Sequence, residues 1–194
     1  MSDNQSLASV NRKTYSLKHF SVLLVEDYEF MGNLVACMLK EFGVGNIMTC
    51  SNAMEARDLI TLSMASSGGM GVKGIDMVLT DWLMPEGSGP DLLKWVRNHK
   101  KDSIRFMPVV LLSAYASEKI VTVARDKGAN EALVKPISAD KLAARLLAVI
   151  DRPRPFIKAP DFFGPDRRRQ DRPILFEDRR KTQAEEILVH NERL

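Results

Sequence analysis

Four apolar runs recur along the chain without the apolar/polar alternation of a strand that has one wet face: Ser21-Val22-Leu23-Leu24-Val25, Ile75-Asp76-Met77-Val78-Leu79-Thr80, Met107-Pro108-Val109-Val110-Leu111-Leu112 and Ala132-Leu133-Val134. They are too short and too rich in Val, Ile and Leu for helices, so they read as strands buried on both faces. A further strand is expected at Asn46-Ile47-Met48-Thr49-Cys50. Helical spacing between the runs predicts helices over 28–42, 53–65, 90–100, 117–127 and 139–150. Start signals support three of them: Asn52 with Glu55 three residues on, Ser88-Gly89-Pro90-Asp91 with Pro90 in the first turn, and Ser138 as a cap. Gly43 and Gly128 are natural helix stops. Five strands alternating with five helices imply right-handed crossovers and an α/β fold with a doubly wound parallel sheet.

In such sheets ligands collect at the carboxyl ends of the strands, and the residues there carry chemistry. Glu26-Asp27 follows the first run, Asp81 the second, Ser113 the third and Lys135-Pro136 the fourth. The fold can therefore gather three carboxylates, a hydroxyl and an ammonium at one edge, a set suited to a divalent metal and a phosphoryl group. Taken singly, each position also suits a helix cap or another structural role; their joint order is what points to chemistry.

Composition narrows the classes. A chain of 194 residues can bury one good core but not two of ordinary size, so one domain over 19–150 is expected, with a flexible leader over 1–18 and a Pro/Arg-rich arm over 151–194. Cys37 and Cys50 show no pairing pattern and read as core thiols in a reducing compartment. No apolar run approaches the ~20 residues of a membrane span, and Met1-Ser2-Asp3-Asn4-Gln5-Ser6 lacks the start of a signal peptide, so the expected location is cytoplasmic, with no membrane insertion. A net charge of +3 does not by itself argue for nucleic acid. The glycine-rich stretch from Ser66 to Gly74 invites comparison with a phosphate-cradling loop. It precedes a strand instead of following one, and Lys73 is followed by Gly, so it reads as a surface linker.

An acidic pair after the first strand, a lone Asp after the third, Ser-Ala after the fourth and Lys-Pro after the fifth resemble bacterial response-regulator receiver domains of the chemotaxis type. Leu79-Thr80-Asp81-Trp82-Leu83-Met84-Pro85 is similar to the family's acceptor-site signature, and the resemblance covers residues 19–150. It implies a flavodoxin-like sheet of strand order 2-1-3-4-5 and a phosphorylation-dependent switch, not a turnover enzyme. Asp81 would be the phosphoacceptor, receiving a phosphoryl group from a histidine kinase or phosphotransfer protein. Glu26, Asp27, Asp81 and the backbone carbonyl of Leu83 would hold Mg²⁺. Lys135 would pair with Asp81 at rest and with the phosphoryl oxygens afterwards, and Ser113 would donate its hydroxyl to the phosphoryl group. The Lys135-Pro136 bond is a candidate cis peptide by the same analogy. Haloacid-dehalogenase-type hydrolases also use an Asp after a strand, but they need a second Asp two residues on, where this chain has Leu83.

One position departs from the family pattern. Receivers usually carry a switch aromatic three residues before the active-site Lys, and here Ala132 stands there. Tyr115, two residues past Ser113, is a candidate substitute, or a surface tyrosine.

Beyond Ile150 the composition changes. Arg152-Pro153-Arg154-Pro155 opens a segment too proline-rich for a second helical or winged-helix domain, so a DNA-binding output domain is not expected. Phe163-Gly164-Pro165-Asp166-Arg167-Arg168-Arg169 has a shorter echo in Phe176-Glu177-Asp178-Arg179-Arg180-Lys181. In each unit a Phe can anchor in an apolar groove while arginines contact carboxylates or phosphates. Three readings stay open: a docking arm for a downstream target protein, a cyclic dinucleotide site in which Arg168 to Asp171 supplies an RxxD pattern, and a solvated tail with weak nucleic-acid contacts. The switch has a rival in a receiver-fold adaptor that works through this arm with phosphorylation incidental. Homodimerisation is equally open.

Overall fold

The computed structural model of the protein describes residues 16–65, 74–114, 118–167 and 188–190. Most of the leader (1–15) and of the glycine-rich linker (66–73) lie outside them. Five parallel strands, β1 (Ser21–Val25), β2 (Asn46–Cys50), β3 (Met77–Asp81), β4 (Val109–Ser113) and β5 (Glu131–Val134), form one sheet of order β2-β1-β3-β4-β5. This is the doubly wound receiver topology that the motifs imply. Helices α1 (Glu29–Glu41), α2 (Ala53–Ala65), α3 (Gly89–Arg97), α5 (Glu118–Asp126) and α6 (Ala139–Asp151) supply the crossovers.

Alternate residues of each strand feed the two faces, which explains why the runs show no polar side. Val22, Leu24, Met77, Leu79, Val110, Leu112 and Leu133 pack under Val35 and Leu39 of α1 and Leu142, Leu146 and Val149 of α6. Leu23, Val25, Val78, Val109, Leu111 and Ala132 meet Ala56 and Ile60 of α2, Leu92, Leu93 and Val96 of α3 and Ala124 of α5.

The structure adds one helical turn, α4 (Asp102–Arg105), to the five predicted helices. The prediction of a helix over 90–100 overruns because α3 closes at Arg97: the Asn98 side-chain amide donates back to the Lys94 carbonyl (2.9 Å) and competes with a further turn. The other end of α3 follows its start signal. Ser88 Oγ accepts from the Asp91 N–H at 3.2 Å, and the Asp91 carboxylate accepts from the Ser88 N–H at 3.1 Å, a complete capping box. We expect Ser88→Ala to lower stability by about 1 kcal/mol. The Ser88 hydroxyl and N–H hold the Asp91 carboxyl below its ordinary value of 3.8. A depressed carboxylate stabilises the fold above its unfolded pKa and ceases to as pH falls through the folded one. The gap in urea midpoint between variant and wild type should therefore be widest at neutral pH and narrow below pH 3.8, leaving the part due to the bond from the Asp91 N–H to Ser88 Oγ.

Residues 152–167, expected to belong to a Pro/Arg-rich arm, fold back onto the body. A hairpin of β6 (Phe156–Ala159) and β7 (Phe162–Pro165) is completed by β8 (Leu188–His190) on the free side of β6. It sits on the amino ends of β4 and β5. Phe156 and Phe163 stack edge-on against Phe106 (4.9 and 5.2 Å between centroids), and the Arg105 guanidinium lies 4.0 Å over the Phe163 ring. Gly128 and Gly164 meet backbone to backbone: a Cβ on Gly164 would come within 2.6 Å of Gly128 Cα. Arg154 donates to the Asn130 and Asp166 carbonyls, and Arg167 pairs with Asp126 of α5 at 3.2 Å.

Under the hairpin lies Arg97, which sequence reading passed over. Nε donates to the Gly128 carbonyl, one terminal nitrogen to the Arg105 and Met107 carbonyls and the other to Asn130 Oδ1, each at 2.8 Å. The guanidinium also lies 5.0 Å from the Phe156 ring. Burial pulls it down to about 9, which still leaves it charged at neutral pH.

Candidate acidic pocket

Parallel register brings the strand ends level. Val25 lies beside Cys50 and Thr80, Asp81 beside Leu112, and Ser113 beside Val134. The residue or two after each end therefore share one edge, and Glu26, Asp27 and Asp81 converge there with carboxylate oxygens within 4.8 Å of one another. Among the described residues this is the only such group of three or more metal-ligating side chains.

Lys135 enters from the end of β5. Its Nζ lies 2.8 and 3.0 Å from the two oxygens of Glu26 and 3.2 Å from Asp81 Oδ1. The expected Lys135–Asp81 pair is present, and the tighter contact, to Glu26, was not foreseen. No local pattern marks it, because the two residues lie 109 positions apart. Asp81 Oδ1 also accepts from the Trp82 N–H (2.8 Å), which fixes the carboxylate and leaves Oδ2 without a donor among the described residues.

Burial raises the Glu26 carboxyl above its ordinary value, with Lys135 opposing and Asp81 and Asp27 assisting. One ammonium faces three carboxylates, so the cluster is net negative and partly desolvated. An all-oxygen donor set of this kind suits a hard divalent cation that keeps part of its water shell, and the residues present fit Mg²⁺.

The remaining positions fall as follows. Ser113 ends β4, buried, and its carbonyl accepts from the Lys135 N–H at 2.7 Å. Leu83 lies in the loop after β3 with its side chain exposed. The Lys135-Pro136 bond is cis. Ala132 is buried against the cluster under α2, α3 and α5, so no ring stands at that point of β5. Tyr115 lies outside the described residues, as do Arg168, Arg169, Asp171, Phe176, Arg179 and Arg180. Phe163 and Arg167 are described, and both engage the body of the protein itself, at the end opposite the acidic cluster.

A family model for the response regulator receiver domain matches residues 22–147. Chemotaxis protein CheY-3 of Vibrio cholerae is 30% identical over 135 residues, covering 70% of this chain and 95% of that one. Chemotaxis protein CheY of Pseudomonas aeruginosa is 30% identical over 132 residues, 68% and 96% of the two chains. Among solved structures, the CheX–CheY–BeF3–Mg²⁺ complex of Borrelia burgdorferi is similar at a TM-score of 0.57 and 26% identity, over 67% of this chain and 88% of that one. A response regulator receiver domain protein of Clostridium thermocellum matches at a TM-score of 0.57 and 26% identity, over 69% and 95%. No helix among the described residues is long and apolar enough to cross a membrane.

Proposed function

Because the chain belongs to the response regulator receiver domain family, with CheY proteins among its relatives, we propose that it is a phosphorylation-dependent signalling switch whose phosphoacceptor is Asp81. The observation that carries this reading is the Asp81 carboxylate, held through Oδ1 by Lys135 and the Trp82 N–H, clustered with the carboxylates of Glu26 and Asp27.

In the proposed transfer, Oδ2 of Asp81 attacks the phosphorus of a phosphohistidine on a histidine kinase or phosphotransfer protein. An O–P bond forms as the N–P bond breaks, and the imidazole leaves. The product is an acyl phosphate, in keeping with a carboxylate nucleophile. Glu26, Asp27, Asp81 and the Leu83 carbonyl would hold Mg²⁺, whose charge would screen the carboxylates from the incoming phosphoryl oxygens. Lys135 faces both Glu26 and Asp81 and can turn its ammonium to a phosphoryl oxygen as a point charge. Ser113 offers its hydroxyl from the next strand end. No acid/base carboxylate follows at position 83, so the site is read as a switch and not as a hydrolase.

The test is phosphorylation by acetyl phosphate, read by intact mass. A single phosphoryl adduct is expected on the wild type with Mg²⁺, and it should be absent from Asp81→Asn and from wild type in EDTA. An adduct that survives in Asp81→Asn would place the acceptor elsewhere.

One observation favours a second reading. The small buried Ala132 leaves β5 without the ring that usually reports phosphorylation in the family. An adaptor acting through the segment after Arg167, with phosphorylation incidental, would need no such ring. In that case the adduct would form without altering any partner's affinity.

A further inference from the structure

A groove of about 950 Å³ runs between α2 and the outer face of α3, from Gly87 in the loop after β3 down to Lys101. Its floor is apolar and its rim is basic. Trp95, half-buried, lies at the bottom with the Arg57 guanidinium 5.9 Å from its ring centroid and the His99 ring 5.0 Å away at its edge. Met54 stands at the lip, largely exposed although apolar. Arg57, Lys94, Lys100 and Lys101 line the same opening, and among the described residues no carboxylate comes within 4.0 Å of any of them. The two acids present are Glu86 and Asp91, and the Asp91 carboxylate is occupied by the capping box of α3.

Arg57 is the least satisfied of these cations. One terminal nitrogen makes a long 3.4 Å bond to the Asp91 carbonyl, while Nε is shielded from solvent without an acceptor. A shielded donor on a charged group is costly to leave unmet. The other terminal nitrogen makes no hydrogen bond among the described residues and is the donor an entering carboxylate would meet.

We propose that this groove docks an acidic peptide segment of a partner protein, with an apolar side chain seated on Trp95 and Met54 and carboxylates reaching Arg57, Lys94 and Lys101. Shape and charge select that occupant together. The opening is long and shallow, which suits a segment lying along two helices better than a small molecule enclosed by its site. Four cations against two carboxylates, one of them held in the capping box, leave the lining net positive and complementary to acidic side chains. The inference does not rest on phosphorylation, since the groove residues are separate from the acidic pocket.

The experiment is fluorescence anisotropy with a fluorescein-labelled amphipathic peptide of Glu and Leu, titrated with the unphosphorylated protein. Saturable binding that weakens as salt is raised is expected. Lys94→Glu/Lys101→Glu should weaken it at least about tenfold, and Arg57→Gln should weaken it as well. Leu147→Ala, on the exposed face of α6, should leave it unchanged. Each variant is checked by its thermal unfolding curve, so that loss of binding in a protein as stable as wild type reports on the groove alone. Absence of saturable binding, equal binding by the charge-reversed variant, or displacement of the peptide by ATP at equal concentration would overturn the proposal. The last result would mark a nucleotide site instead.

Discussion

Replacement of Arg97 by methionine is expected to cost about 4 kcal/mol of folding free energy and to lower the melting temperature by roughly 10 °C. Methionine fills much of the same volume, so the effect isolates the loss of donors. Four acceptors depend on this guanidinium: the carbonyls of Gly128, Arg105 and Met107 and the side-chain oxygen of Asn130. They come from the α5–β5 turn and the α4–β4 connection, which are joined here to the end of α3. Each acceptor left without a donor in a buried place costs about 1–3 kcal/mol before relaxation. Asn130 Oδ1 alone keeps a second donor, the Val109 N–H at 3.0 Å. Phe156→Ala should act in the same direction, because it uncovers the guanidinium. Calorimetry on both variants checks the expectation. An Arg97→Met protein as stable as wild type would mean that water satisfies these acceptors.

Replacement of Lys135 by methionine is the second large effect, and its signature is the pH dependence. Burial already holds the Glu26 carboxyl above its ordinary value, and Lys135 is the principal opposing influence. Without the ammonium, Glu26 rises further. A raised carboxylate favours the fold below its unfolded pKa, and that contribution is lost as pH rises through the folded one. The variant should therefore be close to wild type near pH 4.5 and less stable by about 3 kcal/mol at pH 7, where two neighbouring carboxylates lose their shared cation. Saturating Mg²⁺ should recover most of the deficit at pH 7, since a divalent cation neutralises the same oxygens. Urea unfolding at the two pH values, with and without Mg²⁺, decides it. A deficit that is equal at both would show that Lys135 acts by packing its stem.

The sheet was legible because β1, β3 and β4 are buried on both faces, a condition that leaves no polar alternation to confuse with a helix. The acidic pocket was legible for a related reason. Parallel strands in register end level, so Glu26, Asp27, Asp81 and Lys135 had to meet if the runs were strands. What local pattern could not show is partnership across the chain. The chelate of Lys135 by Glu26 has no signature at either residue. Arg97 did leave a trace: it lies on the stripe Gly89, Leu92, Leu93, Val96 at helical spacing, and a basic residue on a buried stripe is itself a signal. The hairpin was hidden because Phe156 and Phe163 belong to strands of four residues amid prolines, too short for any period to appear.

The placement of that hairpin commits the amino end of the sheet to contacts within the protein's own chain. Arg167 leaves the body at the amino ends of the strands, and Leu188–His190 pairs with β6 at the same pole. Both contacts lie at the pole facing away from Asp81, so the strand ends that carry the acidic cluster stay clear of the hairpin and its pairing.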